Sequence, residues 1–161
     1  MKIQSKLFTL FLVIIFAGSI YAQKGDQLIG GRIGLAIGSG NGTSSSGFQL
    51  GGCYEYFLEK NMSIGSELNL NTQDGTPIEW ANSFKYYLKM SNVKFRPYVD
   101  GGFNLWLMSG GPYFGFRFGG GALFPIDKKL YIPADIQMGP IFISGSNVFY
   151  FAITTGIRYE L

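Results

Sequence analysis

The chain contains no histidine and only one cysteine, Cys53, in 161 residues. A single thiol cannot form an internal disulfide and is too few for a cysteine-based metal site. Without histidine, the side chain that most often acts as a general base or activates a serine nucleophile is missing. Charged residues are also scarce, at 14% of the sequence. We therefore predict that the protein is not an enzyme and that it has no catalytic, metal or cofactor site.

Long apolar runs are absent except at the N-terminus. Two lysines there precede an apolar run over residues 7–16, and small or polar residues follow it. This order is typical of a secretory signal peptide, and the run is shorter than the roughly 20 residues that a membrane-anchoring helix needs. We predict cleavage after Ala22, which separates a signal peptide at residues 1–22 from a single domain at residues 23–161.

The predicted mature domain is almost neutral. Cleavage removes two lysines and leaves 11 basic against 10 acidic side chains. A nucleic-acid-binding surface requires clustered Lys and Arg, which the sequence does not show. We therefore predict no nucleic-acid partner.

Glycine and aromatic residues are abundant instead, with 24 Gly, 15 Phe and 10 Tyr. Both kinds of residue are weak helix formers, and no part of the mature domain has a sustained helical period. Apolar residues alternate with small or polar ones, as in strands that have two different faces. Eight such segments follow one another, at residues 27–39, 48–56, 62–70, 80–88, 95–105, 113–124, 131–142 and 149–159.

The charges separate between the two faces of these segments. The apolar face carries no Asp, Glu, Lys or Arg, whereas the other face carries at least one in every segment. The segments run about 9–13 residues, which is longer than an ordinary strand and matches the tilted strands that cross a bilayer. A sheet in lipid must close, because an open edge cannot be hydrated there. We predict an all-β protein, an eight-stranded antiparallel transmembrane up-and-down β-barrel with its apolar face toward lipid.

Aromatic residues near the segment ends predict two girdles at the membrane interfaces. On the side of the short turns these are Tyr54, Tyr56, Tyr86, Phe95 and Tyr159, and on the other side they are Trp80, Phe114 and Phe149. The seventh segment contains Pro133 and Pro140, each of which removes a donor from the hydrogen-bond ladder. The sequence leaves open whether a bulge or a late start after Pro133 accommodates them.

The inner face also predicts an ion network. Charges alternate in sign on five consecutive segments, at Glu67, Lys85, Asp100, Arg117 and Asp135. The expected turn lengths place Ser83 opposite both Glu67 and Asp100, so that Lys85 lies diagonal to both carboxylates. Arg117 is expected diagonal to Asp100 and near Asp135. Diagonal neighbours lie about 7–8 Å apart, within reach of long side chains. The alternative is that the charges are separately hydrated in a wet lumen.

Three stretches resemble the small bacterial outer-membrane β-barrel family, a porin-like grouping of OmpX-like barrels and the membrane half of OmpA-like proteins. They are Pro-Tyr-Val-Asp-Gly-Gly at residues 97–102, Phe-Gly-Gly-Gly-Ala at 118–122 and Thr-Gly-Ile-Arg-Tyr-Glu-Leu at 155–161. The resemblance spans about residues 24–161. It implies an outer-membrane location, contact with outer-membrane lipid and recognition by the barrel-assembly machinery. In that family the last strand usually ends in an aromatic residue, and Leu161 departs from this pattern.

The predicted function depends on the side chains that point into the barrel lumen. Bulky side chains are expected in the lumen at Tyr87, Tyr98, Trp106, Tyr113, Tyr131 and Tyr150. The outer loops, at residues 39–47, 72–78, 108–112 and 143–147, are short. We predict a monomeric barrel with a plugged polar lumen and a structural or surface-interaction role. The alternatives are a narrow pore for small solutes and a soluble lipocalin-like binding protein with its apolar residues inside.

Overall fold

The computed structural model describes residues 25–40, 42–73, 76–90, 93–143 and 146–161, with the backbone alone at 146 and 147. The predicted signal peptide at residues 1–22 lies outside these ranges. Within them, no helix is long and apolar enough to span a membrane. The described residues form eight strands: β1 (Gln27–Gly40), β2 (Thr43–Glu59), β3 (Met62–Asn71), β4 (Ile78–Tyr87), β5 (Arg96–Met108), β6 (Gly111–Pro125), β7 (Leu130–Ile143) and β8 (Ser146–Glu160).

The eight strands form one closed barrel. Each strand pairs antiparallel with its neighbours in the chain, and β1 pairs with β8 to close the sheet. The predicted up-and-down topology is confirmed. The connections after β1, β3, β5 and β7 lie at one end, here called the loop end. The connections after β2, β4 and β6, the start of β1 and the end of β8 lie at the other, here called the turn end.

The two faces of the wall differ as the alternation predicts. On the outer face, Leu35, Phe48 and Ile157 are 56%, 63% and 56% exposed, whereas Arg32 and Glu67 on the inner face are each 3% exposed. An exposed belt of aliphatic and aromatic side chains is the surface that hydrocarbon requires, and the buried charges lie where lipid cannot reach them. The lipocalin-like alternative places the apolar residues inside and does not describe this barrel.

Neighbouring strands approach closely at inward-facing glycines. A Cβ atom on Gly102 would lie 1.9 Å from the backbone oxygen of Asn82, and one on Gly139 would lie 2.0 Å from that of Phe116. Any larger residue would therefore collide with the neighbouring strand. A barrel of only eight strands bends its sheet tightly, and glycine permits the close backbone approach that this bend needs.

Two details of the strands differ from expectation. The first loop was predicted at residues 39–47, but the β1–β2 ladder continues to the pair Gly40 and Thr43, so that most of this segment is hairpin. Gly42 in the tip has a φ of 76°, a conformation that glycine adopts without strain. In β7, neither a bulge nor a late start occurs, because the strand keeps one register against both neighbours across Pro133 and Pro140.

Candidate functional site in the barrel lumen

Apolar side chains cluster inside the lumen at both ends. At the turn end the cluster comprises Leu28, Phe57, Tyr87, Tyr98 and Leu123, with Tyr131 packed against it. At the loop end it comprises Ala36, Trp106, Ile141, Tyr150 and Ala152, with Met108, Tyr113, Ile143 and Val148 packed against it. We call these the turn cap and the loop cap. They enclose a central layer of charged and amide side chains.

Glu55 is the centre of the ion cluster nearest the turn cap. One carboxylate oxygen, Oε2, accepts hydrogen bonds from Lys85 Nζ at 3.0 Å and from Arg158 Nη1 at 2.6 Å. The other, Oε1, accepts from Ser63 Oγ at 2.6 Å and Tyr87 OH at 2.5 Å. Both oxygens are thus used by buried donors, and one carboxylate compensates two cations from different strands.

The same cluster continues to β7. Arg158 Nη2 lies 3.4 Å from Asp135 Oδ2, and the hydroxyl of Tyr98 donates to the other oxygen of Asp135. Tyr87 and Tyr98 therefore belong to the turn cap through their rings and to the ion cluster through their hydroxyls. This arrangement ties the apolar cap to the polar layer. We call Glu55, Lys85, Asp135 and Arg158 the turn-side cluster.

Glu67 is the centre of a second cluster, nearer the loop end. Its Oε2 atom accepts from Arg32 Nη1 and, at 2.7 Å, from Arg117 Nη1. Arg32 also donates from Nη2 to Thr154 Oγ1 at 2.5 Å. Two guanidinium groups from opposite walls of the barrel therefore converge on one carboxylate.

Glu79 completes this second cluster. Its Oε1 atom lies 3.9 Å from Arg117 Nη1 and accepts from Asn104 Nδ2 at 2.9 Å. Its Oε2 atom accepts from Gln49 Nε2 at 3.0 Å and Asn69 Nδ2 at 2.9 Å. Gln49 also donates to the hydroxyl of Tyr150 in the loop cap at 3.0 Å. We call Arg32, Glu67, Glu79 and Arg117 the loop-side cluster.

The structure brings four of the five predicted network residues into ion pairs. Asp100 is the exception. Among the described residues no cation lies within 4.0 Å of it, and Gln137 Nε2 donates to its Oδ2 atom at 2.8 Å while Oδ1 accepts no hydrogen bond. Asp100 is nevertheless buried, at 8% exposed. The predicted ion pairing of Asp100 with Lys85 and Arg117 is therefore wrong.

The correction follows from the strand registers. Lys85 lies directly opposite Asp100, and Glu67 lies opposite Ala81, so both pairings are displaced by two residues from the expected ones. Arg117 does lie diagonal to Asp100, because Gly102 is its direct partner. Asp135 is not near Arg117, since it pairs with Gly121 and its side chain reaches Arg158 instead.

Sequence reasoning missed four members of the two clusters, at Arg32, Glu55, Glu79 and Arg158. The alternating pattern does assign three of them, Arg32, Glu55 and Arg158, to the inner face. They were left out because a network drawn only between neighbouring strands cannot show contacts across the lumen. Arg158 on β8 reaches Glu55 on β2, two strands away, in this way.

The lumen balances its charge closely. The buried residues that the structure describes on the inner face include four cations, at Arg32, Lys85, Arg117 and Arg158, and five carboxylates, at Glu55, Glu67, Glu79, Asp100 and Asp135. Buried charges are tolerated when they are paired and hydrogen-bonded. No group of three or more potential metal ligands occurs among the described residues. The arrangement compensates buried charge within the lumen.

Solved structures with the same fold include bacterial surface and outer-membrane proteins. Neisserial surface protein A aligns with a TM-score of 0.74 at 14% identity, over 86% of this chain and 100% of that one. The N-terminal β-barrel domain of Pseudomonas aeruginosa OprF gives 0.61 at 13% identity, over 86% and 100%. The outer-membrane protein OprG from Pseudomonas aeruginosa gives 0.63 at 13% identity, over 85% and 96%.

Sequence comparison adds nothing to this, because no protein-family model and no curated protein matches the chain. The shared fold, the closed sheet and the exposed apolar belt agree with the predicted outer-membrane location. The chain has the fold of the small eight-stranded β-barrels of the bacterial outer membrane.

Proposed function

We propose that this protein is a monomeric outer-membrane barrel with a closed lumen, and that its role is structural or limited to surface contact. The observation that carries the proposal is the sequence of layers along the barrel axis. The turn cap, the two ion clusters and the loop cap follow one another along the barrel interior. An ion crossing the barrel would have to displace aromatic rings at both ends and break buried ion pairs between them.

The short connections at the loop end support a structural role. Two residues separate β1 from β2, β5 from β6, and β7 from β8, and residues 72–77 form the longest connection at this end. Standard protein–protein interfaces bury about 800 Å² on each partner. Turns of this length offer little surface for such a contact. We therefore expect the loops to contribute little to binding a partner protein.

The proposal includes insertion by the barrel-assembly machinery. In β8, the alternating residues Ile153, Ile157 and Tyr159 project outward and are 53%, 56% and 46% exposed. Leu161 is tied to the first strand through its backbone N–H, which donates to Gln27 O at 3.0 Å. No catalytic role is part of the proposal, since the sequence contains no histidine to act as a base.

Planar-bilayer recording of the refolded mature protein tests the closed lumen. The wild-type barrel should show only rare, small openings. A variant that removes ring mass from both caps, Tyr87→Ala with Trp106→Ala, should open more often and for longer. Phe116→Ala is the matched control, because this aromatic residue is 51% exposed on the outer face and its loss leaves the lumen filled.

Two results decide between the closed barrel and the narrow-pore alternative. Stable channels of uniform conductance in the wild-type protein would reject the closed lumen and favour transport. Equal conductance in the wild type, the cap variant and the control would also reject the proposal that the two caps close the lumen. Each variant is first checked for heat-modifiable migration on a gel, so that misfolded protein is not recorded.

A further inference from the structure

The exposed basic residues that the structure describes all lie at one end of the barrel. The residues described at the loop end include no Lys or Arg, because the sequence has none between residues 33 and 59, 61 and 84, 97 and 116, or 130 and 157. At the turn end, five lysines lie in the connections between strands and all are exposed. We call them the lysine collar: Lys60, Lys89, Lys94, Lys128 and Lys129.

The collar lysines form no ion pair among the described residues, although the exposed carboxylates Asp26 and Glu59 lie at the same end. Every ion pair within 4.0 Å that the structure describes lies inside the lumen. Two carboxylates at the turn end have other partners, since Asp127 accepts from the Lys128 backbone N–H at 2.7 Å and Glu160 from Tyr131 OH at 2.8 Å. The lysine ammonium groups therefore remain available to an external anion.

Exposed apolar residues lie beside the collar lysines in the same turns. They are Leu58 at 48%, Leu88 at 43%, Met90 at 54%, Val93 at 36% and Ile126 at 56% exposed. Apolar side chains next to lysines are typical of segments that lie in a membrane interface, where the apolar group enters the acyl boundary and the ammonium meets the headgroups. A binding surface for a soluble acidic partner would not need these exposed apolar residues beside the lysines.

We propose that the lysine collar binds the phosphate groups of anionic phospholipids in the leaflet at the turn end. The collar occupies the three connections at the turn end, after β2, β4 and β6, and the proposal places these connections at headgroup height. The loop end, which lacks basic side chains, makes no corresponding contact with lipid phosphates. The protein therefore has an electrostatic preference for one leaflet in addition to its apolar belt.

Lipid selectivity measured by electron paramagnetic resonance tests the proposal. The refolded barrel is placed in phosphatidylcholine vesicles that contain either spin-labelled phosphatidylglycerol or spin-labelled phosphatidylcholine, and the motionally restricted fraction of each label is compared. Wild-type protein should favour the phosphatidylglycerol label by about threefold or more at low salt, since each lysine near an anionic surface adds attraction. Raising the salt concentration should reduce the preference.

Two variants of the whole collar give the matched comparison. Replacing all five lysines by glutamine should bring the preference close to equality, whereas replacing them by arginine should preserve it because the charge remains. An unchanged preference in the glutamine variant would overturn the proposal. So would loss of the wild-type preference in sodium phosphate but not in sodium chloride of equal ionic strength, because the collar would then bind free phosphate rather than lipid. Variants are compared only after heat-modifiable migration shows that they have folded.

Discussion

Replacing Glu55 by glutamine should destabilise the barrel more than replacing Asp100 by asparagine. Both carboxylates are buried on the inner face, but Glu55 accepts four hydrogen bonds, two of them from Lys85 and Arg158, whereas Asp100 accepts one from Gln137. Glutamine has the size of glutamate but presents an amide N–H₂ donor, which cannot face two cationic donors. The change therefore leaves two buried cations poorly compensated.

The size of the effect follows from the remaining partners. Removing one member of a buried ion pair costs about 3–5 kcal/mol when the other charge stays buried. Arg158 still has Asp135 at 3.4 Å in the variant, so one of the two cations remains partly compensated. We therefore expect Glu55→Gln to lower the free energy of unfolding by about 3 kcal/mol, the lower end of this range. Asp100→Asn keeps an acceptor for Gln137 and removes a charge that has no cation within 4.0 Å. For this variant we expect a change of about 1 kcal/mol or less.

Urea unfolding in phospholipid vesicles measures both variants, with the fluorescence of the two tryptophans as the signal. Adding Lys85→Met to Glu55→Gln should recover part of the lost stability, because one of the uncompensated charges is then removed. A larger loss for Asp100→Asn than for Glu55→Gln would refute this reasoning. It would show that the cross-lumen contacts of Glu55 are not those that stabilise the folded barrel.

Three further predictions concern maturation and the barrel wall. The intact mass of protein from the outer-membrane fraction should correspond to a chain that begins at Gln23, and a mass that includes residues 1–22 would contradict the predicted signal peptide. Unboiled and boiled samples should migrate differently on a detergent gel, because a closed barrel keeps its ladder hydrogen bonds internal; identical migration would argue against closure under those conditions. Gly102→Ala should cost about 1–3 kcal/mol or prevent folding, since the new Cβ would collide with Asn82 O. Gly101→Ala is its control, because a Cβ there finds nothing closer than 4.0 Å.

The alternation of residue types predicts the strands and their faces well. Along a strand the side chains point to opposite faces with a period of two, so a run such as Ile33, Leu35 and Ile37 assigns the lipid face without knowledge of the neighbours. The same rule explains why the error in pairing did not disturb the faces. Lys85 is displaced by two residues from its expected partner, and a displacement of two returns every side chain to the same face.

The pairing itself could not be predicted from alternation. It depends on which residues close the β4–β5 ladder, and the last pair is Tyr87 with Tyr98, which leaves a longer connection than the expected turn at residues 90–93. The extra ladder pairs of the β1–β2 hairpin escaped prediction for a similar reason. Its tip is rich in Gly and Ser, which are typical of loops, although the chain there continues as strands up to Thr43.

Contacts across the lumen also could not be predicted from the sequence pattern. The predicted inward aromatic residues Tyr87, Tyr98, Trp106 and Tyr150 do lie in the two caps, because their position on the inner face is fixed by alternation. Which of them meet is decided by the diameter of the barrel and the stagger of its strands. Those quantities belong to the closed sheet as a whole and not to any single segment.

The two centres of converging charge, Glu55 and Glu67, limit how the sequence can vary over evolutionary time. Each carboxylate compensates two cations from other strands, so a change at one of these positions alters the balance for both partners. A lineage that replaces Glu67 by an uncharged residue should also replace Arg32 or Arg117, even though these three residues are far apart in the chain. Among homologues of this barrel we therefore expect the lumen positions to change in groups, while the lipid-facing positions exchange one apolar residue for another independently.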